Sequence, residues 1–448
     1  MVNLIGAFSF FKRVRVGVIG DLMHDIYTTG KIKRISPEAP VSILHVQKEE
    51  HRPGGAGNVV LNLISLGADV VTIGRVGQDE AGEKILTLLR EEGSHVEGIM
   101  IQPGFRTPVK NRFIADAQQV LRVDFEKIEP ITQEAEQEII NQIPHLFKDV
   151  QVIAISDYGK GFLSRSLLAA VIQFAKSKDI PVIVDPKGDD FTKYSGATIL
   201  KPNLQEAYAA AKLSQEVPIE FVAQEIFKKT SNITYLMITR SESGISLFTQ
   251  LGDHLVFPAR SKEIKDVTGA GDTVLAMLTI ALASGLDIKH SLQLANIAAG
   301  IAIERLGCAR IDLSDMSRRL LEFDVDNKIF DEKHLFALEQ ALKDKQYCIL
   351  GLHSEEGMST ALFKTIRNLS SQKPDVKLII YVRDTDPEEE FISLLSSLAE
   401  VDFVVLHCES LKNLCDIVAP QEIFSMEDTK LTRLDHFQDL ISLPIGHA

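Results

Sequence analysis

A chain of 448 residues is too long for one ordinary core and predicts two or three domains. Apolar residues make up 45% of it and charged residues 25%, the balance of a soluble globular protein, which excludes a disordered chain. Net charge is −14, and from Asp331 onward 11 Lys and Arg face 21 Asp and Glu, so the tail carries −10 of it; neither part has the bulk positive charge of a nucleic-acid binder.

The first strand spans 14–19 and ends at Gly20-Asp21. A second extended region, 41–46, follows the turn Ser36-Pro37-Glu38-Ala39-Pro40, and the string Pro53-Gly54-Gly55-Ala56-Gly57-Asn58 opens a helix that runs to Leu66. Strand 70–74, helix 81–92 and a hairpin of 109–115 with 119–124 come next. Helix 133–146, strand 152–156, helix 164–177, strand 182–185 and a short strand 197–201 alternate after that. Helices near 204–213 and 218–229, strand 235–239, a hairpin over 244–257 and long helices 270–284 and 289–305 close the unit. The pattern breaks near 323–330 and starts again with strand 347–352, helix 358–370, strand 377–382, helix 387–399 and strand 402–407. This alternation predicts an α/β fold with a mostly parallel sheet covered by helices on both faces. The hairpins near 30–50 and 105–125 predict a small β lid. A second, smaller α/β domain of Rossmann-like kind follows, with domains at 1–325 and 326–448.

Cys308, Cys348, Cys408 and Cys415 form no C-x-x-C pair and no metal-ligand spacing, so they read as reduced thiols of a cytoplasmic protein. In the apolar start 1–11, Lys12, Arg13 and Arg15 follow the apolar run, the wrong order for a signal peptide. No apolar stretch approaches the roughly 20 residues that span a bilayer. No membrane and no nucleic-acid partner is expected.

The string Asp266-Val267-Thr268-Gly269-Ala270-Gly271-Asp272-Thr273 sits where a loop enters a long apolar helix. Its glycines let the backbone turn tightly and bring amides together at the positive end of the helix, where an anion is held. Asp272, just inside, can accept the proton of an attacking hydroxyl, the chemistry phosphoryl transfer needs. The plain alternative is a glycine-rich helix start with an acid in its first turn.

With Gly54-Gly55-Ala56-Gly57-Asn58, this string resembles the two signatures of the ribokinase-like (pfkB-type) carbohydrate kinases, and residues 14–315 follow the order of that family. The resemblance implies ATP and Mg2+ as cofactors, Asp272 as general base, and Gly269, Ala270 and Gly271 as the anion hole. It places Asp21, Gly54, Gly55 and Asn58 at the sugar. Lys201-Pro202-Asn203-Leu204-Gln205-Glu206 is similar to the family's Asn-x-x-Glu element, which assigns Asn203, Leu204, Gln205 and Glu206 to the nucleotide, Glu206 through metal-bound water. The same residues are an ordinary Asn-capped helix start. Thr239, Ser241 and Gly244 stand where the family approaches the nucleotide, or in a plain turn. Asn296 stands at the adenine pocket, or is a helix polar residue.

The strings Arg34-Ile35-Ser36-Pro37-Glu38-Ala39-Pro40-Val41, Ser156-Asp157-Tyr158-Gly159-Lys160-Gly161, Asp185-Pro186-Lys187-Gly188 and Gln118-Gln119-Val120-Leu121-Arg122-Val123-Asp124 resemble the bacterial heptose 7-phosphate kinases within that family. A phosphorylated sugar needs cations away from the reacting hydroxyl. Lys110, Arg112, Arg122, Lys160 and Lys187 are the candidates, with Asp185 beside them. The implied reaction is phosphorylation of D-glycero-β-D-manno-heptose 7-phosphate at its anomeric hydroxyl, a step toward ADP-heptose and lipopolysaccharide core. Kinases of another sugar, of fructose type, and a non-catalytic sugar-phosphate sensor are the alternatives. Family resemblance also implies a homodimer. The tail resembles a nucleotidyltransferase domain, but the place of its His-x-Gly-His string reads Gly351-Leu352-His353-Ser354-Glu355-Glu356-Gly357-Met358. Only one histidine remains there, and the charge of the two nearby glutamates would repel a triphosphate, so the domain is expected to be degenerate and to serve in dimerisation or docking.

Overall fold

The computed structural model describes residues 11, 13–116, 118–259, 264–305, 307–323, 328–332, 334–354, 357–373, 375–408, 410–427 and 430–442. The apolar start 1–10, residues 324–327 and Glu355 with Glu356 lie outside the described residues. Two compact units divide between Asp312 and Leu313. The helix Leu313–Phe323, ahead of the sequence-predicted boundary, packs with the second unit, where its Ser317 hydroxyl donates to the Ala337 carbonyl.

In the first unit, β1 (Arg15–Gly20) is followed by two long strands, β2 (Leu22–Ile35) and β3 (Ser42–Gly55), before β4 (Asp69–Gly77) and β5 (His95–Gln102). Then come β6 (Val109–Ala115), β7 (Gln118–Phe125), β8 (Val152–Ser156), β9 (Val182–Asp185) and β10 (Ile199–Leu200). The antiparallel edge is β11 (Tyr235–Thr239), β12 (Ile245–Thr249) and β13 (His254–Phe257). Nine of these form one sheet in the order β13-β12-β11-β10-β9-β8-β1-β4-β5, parallel from β11 to β5. Strands such as β8 (VIAIS) are apolar at nearly every position because both faces are buried under helices. Helix Ala270–Ala283 is buried without interruption from Asp272 to Ala281, so its apolar sequence has no polar stripe.

A separate four-stranded sheet, β3-β2-β6-β7, forms the lid. Its two antiparallel hairpins are joined by a parallel pairing of β2 with β6, so the lid is mixed rather than antiparallel throughout. Its β2–β3 hairpin is inserted between β1 and the helix Ala56–Ser65, and its β6–β7 hairpin follows β5; the Ala56 amide donates to the Asp21 carbonyl at 2.9 Å where the two ends of the first hairpin meet.

In the second unit, β14 (Ile329–Phe330), β15 (Tyr347–Leu352), β16 (Lys377–Val382), β17 (Phe403–Val405), β18 (Glu422–Glu427) and β19 (Lys430–Leu434) pair in the order β14-β17-β16-β15-β18-β19. Only the β18–β19 pair is antiparallel among these. No helix among the described residues is long and apolar enough to cross a membrane.

Candidate active site

In the first unit the strand order turns around at β1. The chain lays β4 and β5 on one side of it and later β8 to β13 on the other. Open α/β sheets bind ligands at such a point, beyond the carboxyl ends of the strands. Asp21 follows β1 there, Tyr158 and Lys160 follow β8, Asp185 ends β9 and Lys201 follows β10. Helix Ala56–Ser65 brings Asn58 from the lid side, and helix Ala270–Ala283 brings its N-terminus.

Two glycines make this convergence possible. Gly55 has φ 59, and a Cβ on it would fall 2.5 Å from the Asp21 carbonyl oxygen. Gly269 has φ 79, and its Cβ would fall 3.0 Å from Asn58 Nδ2 and 3.1 Å from Cys308 Sγ. Both conformations strain any residue with a side chain. At the helix start, the Ala270 amide is given to the Val267 carbonyl at 3.3 Å. The anion-binding donors of a helix N-terminus therefore fall to the amides of Gly271 and Asp272.

Asp272 is buried, and each of its oxygens has a donor. Asn58 Nδ2 donates to Oδ2 at 2.7 Å and the Tyr158 hydroxyl donates to Oδ1 at 2.9 Å. Burial, with the Asp185 charge added, pushes its carboxyl up to about 6, against the pull of Asn58, Tyr158 and Lys201. It is mostly ionised at neutral pH and still close enough to it to take a proton, which suits a general base. Lys201 pairs with Asp185 at 2.8 Å, both side chains largely buried, and a Cβ on Gly271 would lie 3.6 Å from Lys201 Nζ. A cation thus stands beside the helix start.

On the β10–β11 side, Asn203 caps helix Leu204–Ala211 in a reciprocal capping box with Glu206. Glu206 also accepts from Lys187 Nζ at 2.8 Å, so Lys187 stands with the Asn203–Glu206 element and not with the lid cations. Leu204 and Gln205 are exposed in the first turn of that helix. Thr239 bridges to Asn203 at the end of β11, and Ser241 and Gly244 form the turn into β12. Asn296, buried on helix Ile288–Ile303, donates to the Pro258 carbonyl at 2.7 Å.

On the lid side, Asp21 is buried and accepts from the amides of Tyr158 at 2.9 Å and Lys160 at 3.1 Å. Burial and the Asp157 charge raise its pKa. Arg112 pairs with Asp25 at 2.9 Å behind Gly54, and Tyr27 lies under both Arg52 and Arg112, with its hydroxyl on Cys308 Sγ at 3.3 Å. Lys160 reaches Glu126 at 2.7 Å. Burial and the nearby Lys160 charge lower the pKa of Lys110, which places two lysines together on this side. Arg122 lies opposite Arg112 in the β6–β7 register, half-exposed and paired with Asp124 at 3.0 Å. Beneath this floor, the buried Arg75 guanidinium stacks on Phe105 and donates to the carbonyls of Glu129 and Lys160.

Tyr158, Lys201, Asp25 and Cys308 were not among the residues singled out as site members from sequence. Tyr158 and Lys201 lie inside strings that were, each beside a more familiar residue type. Their partners are 114 positions away for Tyr158 and 16 for Lys201.

In the second unit, β15 is flanked by β16 on one side and β18 on the other. His353 follows it and pairs with Asp384 at 2.9 Å, and Asp384 also accepts from the Ser354 amide.

Residues 15–316 match the pfkB family of carbohydrate kinases. A curated relative from Geobacter metallireducens, the bifunctional protein HldE, is 38% identical over 439 residues, covering 91% of this chain and 86% of its own. The protein of the same name from Campylobacter curvus is 36% identical over 412 residues, with 89% and 87% covered. Among solved structures, Arabidopsis thaliana ribokinase complexed with ribose and ATP superposes with a TM-score of 0.53 at 18% identity, over 69% of this chain and 99% of that one. Escherichia coli phosphofructokinase-2 in complex with potassium gives 0.57 at 18% identity, over 69% and 98%.

Proposed function

Since the chain belongs to the pfkB family of carbohydrate kinases and is a sugar kinase, we propose that it transfers the γ-phosphoryl group of ATP to the anomeric hydroxyl of D-glycero-β-D-manno-heptose 7-phosphate. The observation that carries the reading is Asp272, a buried carboxylate with its pKa pushed up to about 6 at an anion-binding helix start. The relatives named HldE, matched over most of the chain, support the heptose assignment.

In this reading ionised Asp272 takes the proton of the sugar hydroxyl while that oxygen bonds to the γ-phosphorus. The bond from that phosphorus to the β–γ bridging oxygen breaks, and ADP leaves with the electron pair. The amides of Gly271 and Asp272, with Lys201, offset charge on the transferring group. Lys110, Lys160 and Arg112 hold the phosphate already on the sugar. Asp185 and Glu206 lie near enough for the Glu206 charge to raise Asp185. These hard oxygen donors fit a hydrated Mg2+, which neutralises the ATP phosphates when bound. The reading also includes a cytoplasmic setting and a homodimer through the lid, whose Ile35, Val46 and Leu121 side chains are exposed. In the second unit, the lone His353 tied to Asp384 supports a domain without nucleotidyl transfer.

The test is ATP consumption by the full chain with Mg2+ and heptose 7-phosphate, beside fructose 6-phosphate, ribose and Asp272→Asn. Turnover on the heptose phosphate alone, lost in the variant, is expected. Turnover on another sugar instead would retain the kinase and discard the heptose. Binding of the heptose phosphate without turnover on any sugar would leave a sensor.

A further inference from the structure

Asp272 could turn about its terminal bond, because the torsion of a carboxylate is broad and nearly two-fold. Two donors from opposite sides prevent it: Asn58 Nδ2 on Oδ2 and the Tyr158 hydroxyl on Oδ1. One bond on each oxygen sets the plane of the carboxylate and still leaves each oxygen a free lone pair for a substrate hydroxyl. The two donors are held differently. Asn58 sits on a helix, with its backbone carbonyl accepting from Asn62 Nδ2 at 2.9 Å. Tyr158 sits on the loop after β8, and that loop is fastened at several points.

The Tyr158 amide donates to Asp21 Oδ2 at 2.9 Å, and the Gly159 amide donates to Asp157 Oδ1 at 2.7 Å. Asp157 is clamped in turn by Lys193 at 2.7 Å and by the Tyr194 hydroxyl at 2.6 Å. Arg75 holds the Lys160 carbonyl from beneath at 3.1 Å. A single residue therefore bonds Asp272 through its side chain and Asp21 through its backbone, joining the two carboxylates across the cleft. Its ring is only half-buried and packs over Gly55, where a Cβ would lie 3.5 Å from Cδ2, so it also borders the space a sugar would fill.

We propose that Tyr158 is a positioning residue for phosphoryl transfer: its hydroxyl fixes the orientation of Asp272, and its amide locks that orientation to Asp21. This rests on the reading of Asp272 as the base. Burial and the Asp272 charge keep the phenol protonated far above working pH, so it remains a donor to the carboxylate throughout. Phenylalanine would keep the packing over Gly55 and lose only the bond.

The experiment compares wild type, Tyr158→Phe, Asp272→Asn and the full chain carrying 3-fluorotyrosine at position 158. Rates are followed from acid to alkaline pH with ATP, Mg2+ and heptose 7-phosphate, and thermal unfolding is recorded for each. In Tyr158→Phe, kcat is expected to fall about 10- to 100-fold with KM for the sugar phosphate little changed. Removing a donor to the ionised form should move the acid limb of kcat/KM upward by about one pH unit. The fluorinated residue, a stronger donor of nearly the same shape, should move that limb the other way. A merely structural tyrosine would change Tm or KM and leave the limb in place, which would overturn the proposal. Activity retained in Asp272→Asn would remove the base itself. Loss in Asp272→Asn with Tyr158→Phe unchanged would remove only the role of Tyr158.

Discussion

Replacing Asp272 by Asn keeps the size of the side chain and removes its charge, and the consequences for rate and for stability have opposite signs. Loss of the base should lower kcat by about 10²- to 10⁴-fold. Stability follows from the carboxyl being pushed from its ordinary 3.8 to about 6 in the folded chain. A raised acid pKa means that the folded state binds the proton more tightly than the unfolded one. The group's contribution is therefore intact below the unfolded value and is lost as pH rises through the folded one. At about 1.4 kcal/mol per unit, the ionised carboxylate costs the folded state about 3 kcal/mol once pH is well above 6. About half of that cost is already present near pH 5 by the same linkage.

Asp272→Asn abolishes this pH-dependent cost. It also turns an amide NH2 toward Asn58 or Tyr158, at a cost of about 1–3 kcal/mol that does not vary with pH. Comparing about pH 5 with about pH 8 cancels the second effect and isolates the first. The variant should gain about 1.4 kcal/mol on the wild type over that interval, which is about 2 °C in Tm for a unit of this size. Calorimetry of the full chain measures it, with the transition that ATP raises identifying the first unit. A variant Tm that, relative to wild type, is unchanged between the two pH values or falls at the higher one would refute a strained carboxylate at this position.

The two flanking glycines should behave differently. Gly269→Ala imposes φ 79 on alanine and drives its methyl into Asn58 and Cys308, so it should cost about 1–3 kcal/mol in a urea titration along with most activity. Gly271→Ala meets only ordinary contacts at 3.6 and 3.9 Å, so Tm should hold or rise while kcat falls, because the methyl occupies the phosphoryl path. Arg112→Met leaves Asp25 buried without its partner and should destabilise the first unit by about 3–5 kcal/mol, read from the urea midpoint. Lys110→Met and Lys160→Met should each raise KM for a phosphorylated sugar about tenfold or more, with little effect on an unphosphorylated one. Initial-rate kinetics on both sugars check it.

Elements whose signal is local were readable from sequence. Helix Gln133–Leu146 and strands Val152–Ser156, Val182–Asp185, Tyr235–Thr239, Tyr347–Leu352 and Lys377–Val382 have the predicted limits, because period and turn residues coincide there. Strand β5 was missed: its run HVEGIMIQ carries an acid and a glycine, tolerated because it is the edge of the sheet. Strands β18 and β19 were missed too, since their charged ends hide the alternation. The same division holds in the site. The Gly269–Asp272 string is contiguous and its chemistry could be read directly. Tyr158 and Asn58 reach Asp272 from 114 and 214 positions away, and nothing local in either announces that meeting. Lys187 chose Glu206 over the lid cations because β9 and helix Leu204–Ala211 bring their ends together, a choice tertiary structure makes.

The lid hairpin has a mechanical consequence. Strands β2 and β3 are 14 residues each, so the hairpin is about 45 Å long. Its fulcrum is the pairing of Leu22 with Gly55 and the bond from the Ala56 amide to the Asp21 carbonyl. Asp21 and Asn58 sit at that fulcrum, so the lever and the floor of the cleft share a single joint. A few degrees of rotation at the joint would sweep the far tip through several ångströms. A sugar bridging Asp21 and Asn58 would stiffen the whole arm without touching its tip.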